Sequence, residues 1–501
     1  MKKLLRALYV TALLCLVIAS TACNQSDNQE SPDSGSDAAD NDNADGSDDN
    51  GADADIDADT DTDADADTDS DSDSDTDIDA DADIDSGPSC NLQLDWVKTQ
   101  GGDDWDSGDT IAVLSNGSII VAGHFRGQTQ HLESAGRSDV FITKYNNNGT
   151  FVWAKSAGGS EDDFAQGIDT FNDGSSVVTG EFMDTALFGK GEPNETSLNS
   201  AGNSDAFIAR YAPDGTLLWA KRAGNSSSDE AGWDVEAFDD GSLVMTGWFE
   251  SNSIAKYDSD GSFEWSRSGG IGFGISILSD GLFIVTGYFF EETTFGLGEV
   301  NETTLTPAGE SDIFIAKYDS DGALEWVKSA GGDYDDYAKD IASFSDGSSV
   351  ITGRFEDTAT FGKGEANEVT LEMPGYDCPF IAKYNPDGTL EWAIHDREDG
   401  LSIVANNDGS IVVPGYSYDL LSSSYILKYN SEGSLDCSKY AIQDLHDIED
   451  ITHIDGGTVY LTGYFCETVF GPEDPNRTYL ETVAGCDSNN DWDMFIAKFS
   501  P

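Results

Sequence analysis

Residues 176–182 read Ser-Val-Val-Thr-Gly-Glu-Phe, residues 207–211 read Phe-Ile-Ala-Arg-Tyr, and residues 217–221 read Leu-Leu-Trp-Ala-Lys. Each run is rich in β-branched and aromatic residues, which favours a strand. Pro213-Asp214-Gly215 separates the second run from the third, and Asp-Gly supplies the positive φ that a tight hairpin turn needs. Together with residues 167–171, this stretch predicts four consecutive antiparallel strands.

The same unit recurs along the chain at intervals of 45 to 66 residues. The glycine of its second strand stands at Gly123, Gly180, Gly247, Gly287, Gly353, Gly415 and Gly463. Its third strand begins at Phe141, Phe207, Ser253, Phe314, Phe380, Tyr425 and Phe495. Its fourth strand is marked by Trp96, Trp153, Trp219, Trp265, Trp326, Trp392 and, in the last slot, Cys437. All-strand repeats of this length form closed arrays of small sheets, so the sequence predicts an all-β, seven-bladed β-propeller of four-stranded antiparallel blades over residues 90–501.

The two ends of the array complement each other. Residues 495–501 stop where the other copies turn into their Trp strand, so the last copy lacks its outer strand. Residues 92–98, Leu-Gln-Leu-Asp-Trp-Val-Lys, have the pattern of that strand and precede the first copy. Pairing them with the last copy would cover two exposed sheet edges. We therefore predict that the N-terminal strand closes the last blade.

Tandem Gly-Gly-x-x-x-Asp, Thr-Gly-x-Phe, Phe-Gly and Ser-Asp-x-Phe-Ile-Ala-Lys-Tyr phrases make the chain resemble the bacterial β-propeller repeat family called SBBP. Clear examples are residues 157–163, 179–182, 188–189 and 204–207, and the resemblance covers residues 90–501. It implies the propeller fold and says almost nothing about activity. The third and sixth repeats lack the Phe-Gly segment, and Gly269-Gly270-Ile271 replaces the acidic loop of the fourth.

Residues 1–23 have the pattern of a lipoprotein signal peptide. Lys2, Lys3 and Arg6 precede an apolar run, residues 7–19, that is too short for a membrane-spanning helix. Residues 20–23, Ser-Thr-Ala-Cys, resemble a lipobox, whose cysteine is acylated by chains such as palmitate. We predict lipidation at Cys23 and a membrane anchor through lipid alone; the alternative is a secreted protein with an incidental Cys23. Asn24 favours the outer membrane and leaves periplasmic and surface exposure both open.

Residues 24–89 alternate Asp with Ala, Thr, Ser or Ile and contain 26 acidic residues and no basic one. A segment without apolar surface and with strong self-repulsion cannot form a core. We therefore predict a disordered Asp-rich spacer that reaches at most roughly 200 Å when fully extended. The alternative of an EF-hand lacks support, because residues 53–85 have neither its Gly nor its Glu.

Residues 90–501 contain 70 acidic and 22 basic residues, a net charge of −48. This charge makes nucleic acid and anionic lipid poor partners. Thirteen of the 22 bases stand at repeat positions, where we expect them to pair across strands. The partners that fit are an envelope protein, especially a basic one, or an envelope polysaccharide, with the propeller itself a monomer.

In a propeller, the connections that lead into the first strand and those between the second and third strands share one face. Here both kinds of connection are long and charged, which is typical of a functional face. Its Asp clusters make calcium the one cofactor to expect, and the metal-ligand candidates are Asp162, Asp163, Asp333, Asp335 and Asp336. However, Asp106, Asp163 and Asp336 each stand five residues before an inner-strand Ile, and such regularity favours a structural hydrogen bond between blades.

Catalytic motifs are scarce. The five histidines form no HExxH motif, and the sequence has neither a Gly-x-Ser-x-Gly elbow nor a P-loop. We predict no catalytic residue and no organic cofactor, and we interpret the chain as a tethered, acidic binding or scaffold module of the cell envelope. Two alternatives stay open: a quinoprotein-like or glycan-hydrolysing propeller enzyme with a site in the central funnel, and a calcium-dependent adhesin.

Five cysteines follow Cys23, and export would place them in an oxidising compartment. Cys466 and Cys486 flank the long insert of the last repeat and are the best candidate disulfide. The other three are Cys90, Cys378 and Cys437, whose connectivity the sequence leaves open.

Overall fold

The computed structural model describes residues 89–501 except 103, 225–228, 250–251, 396–401, 418–422, 455 and 483–491. The predicted signal peptide, Cys23 and the Asp-rich spacer therefore lie outside the described residues. The part that is described consists of strands, turns and connections without a helix. Accordingly, no described helix has the length and apolar character needed to cross a membrane.

Thirty strands follow one another along the described residues. They are β1 (Gln93–Gln100), β2 (Ser107–Val113), β3 (Ile119–Gln128), β4 (Glu133–Tyr145), β5 (Phe151–Ala157), β6 (Asp163–Thr170), β7 (Ser176–Phe188), β8 (Thr196–Tyr211), β9 (Leu217–Ala223), β10 (Ala231–Ala237), β11 (Leu243–Phe249), β12 (Asn252–Tyr257), β13 (Phe263–Arg267), β14 (Ile271–Ile277), β15 (Phe283–Phe289), β16 (Thr293–Phe295), β17 (Thr303–Leu305), β18 (Asp312–Tyr318), β19 (Leu324–Ala330), β20 (Tyr337–Ser343), β21 (Ser349–Phe361), β22 (Val369–Tyr384), β23 (Leu390–His395), β24 (Val404–Ala405), β25 (Ile411–Ser417), β26 (Ser423–Tyr429), β27 (Leu435–Ile454), β28 (Thr458–Phe470), β29 (Thr478–Glu481) and β30 (Asp493–Ser500).

These strands form five four-stranded antiparallel sheets in chain order: sheet 1 (β2–β5), sheet 2 (β6–β9), sheet 3 (β10–β13), sheet 4 (β14, β15, β18 and β19) and sheet 5 (β20–β23). β16 and β17 form a small ribbon of their own. The remaining strands form one eight-stranded sheet. Its β27 pairs with β26 through its first half and with β28 through its second half, so that it is an outer strand and then an inner strand.

The sheets pack face to face through apolar clusters. Sheet 1 packs on sheet 2 around Phe182 and Phe207, and sheet 4 packs on sheet 5 around Phe355 and Phe380. The series returns to its start, because Ile119 and Phe141 of sheet 1 pack with Tyr460 and Ile496 of the eight-stranded sheet. The described sheets thus form a closed ring, and Tyr, Phe and branched side chains fill the space between neighbours.

The Trp of each fourth strand covers the hairpin turn of the next sheet. Trp153 packs on Gly215, and its Nε1 donates to the carbonyl of Pro213 (3.1 Å). Gly215 has φ +84°, and a Cβ there would lie 2.7 Å from the Trp153 ring, so only Gly fits. The same contact recurs at Trp96 with Gly149, Trp219 with Gly261, Trp265 with Gly322, Trp326 with Gly388 and Trp392 with Gly433.

The N-terminal strand closes the ring, as the two chain ends predicted. β1 pairs antiparallel with β30 from Gln93 opposite Ser500 to Gln100 opposite Met494. No hairpin turn joins these two strands, so the junction offers no turn for a Trp to cover. Cys437, which stands in the Trp position of the preceding unit, instead forms a disulfide with Cys90 just before β1.

The Phe-Gly insert is a clamp on the fourth strand. In sheet 2, Glu192 accepts a hydrogen bond from the backbone N–H of Leu217 (2.6 Å), and Asn194 donates to the carbonyl of Leu217 (3.1 Å). Lys155 of the preceding sheet pairs with Glu192 (2.5 Å). The equivalent pairs are Glu299 and Asn301 on Leu324, Glu365 and Asn367 on Leu390, and Asp474 and Asn476 on Leu94. The last of these clamps holds the N-terminal strand.

Candidate functional site

The acidic loops are part of the scaffold. Asp163 accepts hydrogen bonds from the backbone N–H groups of Gly159 (2.8 Å) and Met183 (3.1 Å). Asp336 does the same with Gly332 (2.6 Å) and Glu356 (3.2 Å). These carboxylates therefore make structural hydrogen bonds, but the prediction that the bonds join two blades was wrong. They tie the incoming connection to the second strand of the same sheet.

The other predicted metal ligands lie on two separate sheets. Asp162 accepts from the backbone N–H of Ser138 (3.3 Å) and faces Arg137 (3.4 Å) at the start of sheet 2. Asp335 accepts from the hydroxyl of Ser311 (2.8 Å) before sheet 5, where Asp333 is exposed. Over the described range, no three His, Cys, Asp or Glu side chains come together as a metal-binding group.

The structure gives the disulfide connectivity of cysteines whose pairing the sequence left open. Cys466 is in a disulfide, and its predicted partner Cys486 lies outside the described residues. Cys90 and Cys437 form the second pair, across 347 residues. Cys378 is a buried thiol that donates to the carbonyl of Met373 (3.3 Å).

Carboxylates at the centre of the ring join neighbouring sheets. Asp234 accepts from the backbone N–H of Ile275 in the next sheet (2.9 Å), and Asp340 accepts from that of Ile403 (2.8 Å). Asp450 accepts from that of Ile111 (2.8 Å) across the closure. The charges of Asp340 and Asp450 raise the pKa of Asp234, with burial as the larger cause. Carboxylates from three non-adjacent sheets thus converge on a central channel lined by the first strands.

Six of these first strands carry a β-bulge at the same place. The ladder skips the residue two positions before the strand's central Ile or Val, and the skipped residue is the extra one of the bulge. These residues, the bulge ring, are Asp109, Gln166, Trp233, Phe273, Lys339 and Glu449. A bulge re-aims a side chain, and here it lies near the start of the strand, on the face that bears the long connections. The bulge ring therefore surrounds the mouth of the channel.

A second ring lies next to the first. It consists of the residue that follows the marker glycine in each second strand: His124, Glu181, Trp248, Tyr288, Arg354, Tyr416 and Tyr464. Contacts between the rings are direct, because His124 Nδ1 lies 2.8 Å from Asp109 and the ring centroids of Tyr288 and Phe273 are 5.6 Å apart. We call the two rings together the channel mouth.

The channel mouth is divided into sectors of different chemistry. Sheets 3 and 4 contribute aromatic rings, and Trp233 stacks near Phe273 with centroids 4.4 Å apart. Sheet 5 contributes Lys339, whose Nζ lies 4.7 Å from the Phe273 centroid. Across the channel, burial and the charges of Asp447 and Asp109 raise the pKa of Glu449, while the charge of Lys339 lowers it. The mouth thus offers stacking faces, hydrogen-bond acceptors and a cation within one opening.

Buried carboxyls make the fold sensitive to pH. Burial raises the pKa of Asp106 and Asp163 to about 8, and that of Asp340 and Glu181 to about 7. The folded protein therefore keeps these protons to a higher pH than the unfolded chain does, so the free energy of unfolding should fall as pH rises from about 4 to about 8.

We expect Glu181→Gln to raise the melting temperature at pH 8 by about 2–5 °C and to change it little at pH 5. Gln removes the charge that burial and the carboxylates of Asp229 and Asp162 disfavour. Differential scanning calorimetry of the full chain at both pH values measures the effect. Asp214→Asn is the control, because hydrogen bonds from Thr216 lower the pKa of that exposed carboxyl. An equal gain in the control at pH 8 would contradict the assignment.

Comparisons with known proteins are consistent with a repeat fold. An uncharacterized WD repeat-containing protein of Acanthamoeba polyphaga mimivirus is 21% identical over 477 residues, covering 73% of this chain and 34% of that protein. Regulatory protein FlaEY of Caulobacter vibrioides is 23% identical over 350 residues, covering 60% of this chain and 34% of its own. The chain thus spans about a third of the length of these relatives. No family model matches it.

Two solved structures are also similar. The Swd1 β-propeller domain of Myceliophteria thermophila gives a TM-score of 0.42 at 10% identity, covering 81% of this chain and all of that domain. A protein of unknown function from Bacteroides caccae gives 0.32 at 11% identity, covering 61% of this chain and 93% of its own. The ring of four-stranded antiparallel sheets around a central channel, described above, defines this chain as a β-propeller.

Proposed function

We propose that this chain is an acidic, membrane-tethered module of the cell envelope that binds a ligand at its channel mouth. The observation that carries the proposal is the bulge ring. Where packing requires a residue, the same residue type recurs from sheet to sheet, as it does in the clamp on the fourth strand. The bulge residues share one backbone position and yet are acidic, amide, aromatic or cationic. Such variation is expected of a binding surface rather than of a contact that packing repeats in every sheet, and this supports a binding role.

The proposal also includes the number of blades and a role for each of the three segments of the chain. Counting the two halves of the eight-stranded sheet as separate units gives seven blades, and the third, fourth and sixth of them depart from the full SBBP-like pattern. Residues 1–23 would direct lipidation at Cys23, residues 24–89 would space the propeller from an outer membrane, and residues 90–501 would bind an envelope polysaccharide or a basic envelope protein. The charge of −48 over residues 90–501 supports these partners over nucleic acid.

Two measurements test the tether and the binding role. In cells, Cys23→Ser should move the protein from the membrane pellet to the soluble envelope fraction, and retention in the pellet would exclude the lipid anchor. For binding, the purified full chain is immobilised and exposed to the polysaccharide fraction and to the protein fraction of the envelope in turn. We expect the variant Trp233→Ala with Lys339→Ala to retain roughly tenfold less of the bound fraction than the wild type.

Phe263→Ala is the matched control for the channel mouth. Phe263 is 59% exposed and begins β13, directly after a hairpin turn on the opposite face. Its loss removes an exposed ring without touching the mouth, so retention should equal that of the wild type. Equal retention by all three proteins, or retention of neither fraction by the wild type, would overturn the proposed site.

A further inference from the structure

A cavity of about 330 Å³ opens between sheets 3 and 4 on the face of the channel mouth. Its walls include Trp248 of β11, Phe290 directly after β15, and Gly269 and Gly270 directly before β14. The volume is within the roughly 300–1,000 Å³ typical of sites for small ligands. We call this space the 3–4 cavity.

Two departures from the repeat create the 3–4 cavity. Sheet 3 lacks the Phe-Gly insert, since β11 ends at Phe249 and β12 begins at Asn252, whereas the corresponding strands of sheet 2 extend to Phe188 and restart at Thr196. In addition, Gly270 stands where Asp163 and Asp336 stand in sheets 2 and 5. A Cβ at Gly270 would lie 2.7 Å from the Phe314 ring and 2.8 Å from the carbonyl oxygen of Tyr288, so only Gly fits and backbone forms this wall.

The cavity is the outer part of the aromatic sector. Phe290 is 51% exposed. The equivalent residues of sheets 2 and 5 are Met183 and Glu356, so the fold does not require a Phe at this position. Tyr288 pairs with Ile271, which lines the cavity, and the aromatic side chains continue from Tyr288 to Phe273 and Trp233 with centroid separations of 5.6 Å and 4.4 Å. Phe290 is exposed and the other three rings are partly buried, so a ligand that stacks on them would remove further apolar surface from water.

The polar groups of the cavity are mostly neutral. Asn252 and Ser268 supply an amide and a hydroxyl that both donate and accept hydrogen bonds. The hydroxyls of Thr293 and Thr294 already bond to the carbonyl of Glu291 (2.8 Å) and to Thr304 (2.9 Å), and their oxygens remain acceptors. Glu291 and Glu292 add exposed acceptors at one side. At the inner end, the ammonium of Lys339 lies over the Phe273 ring in a cation–π contact. Its positive charge disfavours a cationic ligand group beside this ring.

We propose that the 3–4 cavity binds a neutral oligosaccharide, whose chain follows the aromatic rings toward the channel mouth. A pyranose ring has flat C–H faces that stack on aromatic side chains and a rim of hydroxyls that match neutral donors and carboxylate acceptors. Lys339 can donate to ring or hydroxyl oxygens where the chain reaches the channel. This inference rests on the proposed binding function and assigns it a ligand class and an entry.

Tryptophan fluorescence and titration calorimetry of the full chain in detergent test the inference. The probes are neutral tetrasaccharides of glucose, mannose, galactose and N-acetylglucosamine, with tetralysine as the cationic alternative. We expect saturable binding of at least one tetrasaccharide. Phe290→Ala should weaken it roughly tenfold, as should Ser268→Trp, which fills the cavity from an exposed position. Phe263→Ala should bind like the wild type, and all variants should melt like it.

Each other outcome overturns the inference. If no tetrasaccharide binds at millimolar concentration, or if tetralysine alone binds and loses affinity in Phe290→Ala, the ligand class is wrong. If a tetrasaccharide binds equally to Phe290→Ala and Ser268→Trp but not to the variant Trp233→Ala with Lys339→Ala, the ligand sits at the channel mouth only. In that case the proposed binding function stands and the 3–4 cavity is not its entry.

Discussion

Deleting residues 90–98 should lower the melting temperature of the full chain by roughly 10 °C or abolish cooperative unfolding. The deletion removes most of β1, which pairs along the whole of β30. Leu94 is fully buried with Phe499 and Phe470, and burying one such side chain contributes roughly 1.5–3 kcal/mol. The Cys90–Cys437 disulfide is lost as well, and removing a native disulfide typically costs about 2–5 kcal/mol.

Scanning calorimetry of the wild type and the deletion variant measures the loss. The control deletes nine residues within the Asp-rich segment, residues 53–85, and should melt like the wild type because that segment offers no apolar surface to a core. The exposed edge of β30 should also make the deletion variant aggregate on heating. A deletion variant that melts within a degree of the wild type would show that the ring closes without β1.

The closure was predictable because it depends on pattern alone. The strand pattern repeats in the sequence, and the last repeat shows no fourth strand after residues 495–501. Residues 92–98 have the pattern of a fourth strand and belong to no other repeat, so the two can be matched. The observed pairing of Trp96 with Lys498 agrees with that match. Hydrophobic alternation and turn residues fix both the strands and their register.

The disulfide was not predictable in the same way. Cys90 and Cys437 are 347 residues apart, and they meet only because the ring closes. The available signal was that Cys437 stands where the other repeats have Trp. This signal can be interpreted only once the role of the Trp is known, and the contact between Trp153 and Gly215 is seen only in the packed sheets. No hairpin turn precedes β1, so there is no glycine equivalent to Gly215 for a Trp at position 437 to cover. The Cys90–Cys437 disulfide takes the place of that contact.

The channel mouth also required the structure. The sequence directed attention to the face that bears the channel mouth, but to its Asp clusters, where regular spacing reflects hydrogen bonds such as that from Met183 to Asp163. The bulge ring has no shared residue type, so no motif marks it. Its members share only a skipped position in the strand ladder, for example between Gly232 and Asp234. Backbone irregularity of this kind is invisible to residue pattern.

The second large effect concerns the clamp that holds β1. Asp474 accepts a hydrogen bond from the backbone N–H of Leu94 (2.7 Å) and pairs with the ammonium of Lys439. Both side chains are only 5% exposed, so Asp474→Ala would leave a buried charge without its partner. Breaking one side of such a pair typically costs about 3–5 kcal/mol. We expect Asp474→Ala to lower the free energy of unfolding by about that amount in urea titrations.

Glu192→Ala is the matched control, because Glu192 makes the equivalent contacts to Leu217 and Lys155. Lys155 is 32% exposed and can be solvated when its partner is removed, so this loss should be about 1–2 kcal/mol. The strands also differ in connection: a hairpin turn joins β9 to β8, whereas β1 is held without a turn, by the clamp, the disulfide, its pairing with β30 and the contact of Trp96 with Gly149. Adding Lys439→Met to Asp474→Ala should recover part of the loss by removing the unpaired charge. Equal losses in the two single variants, or no recovery in the double variant, would mean that the clamp at the closure is no different from the others.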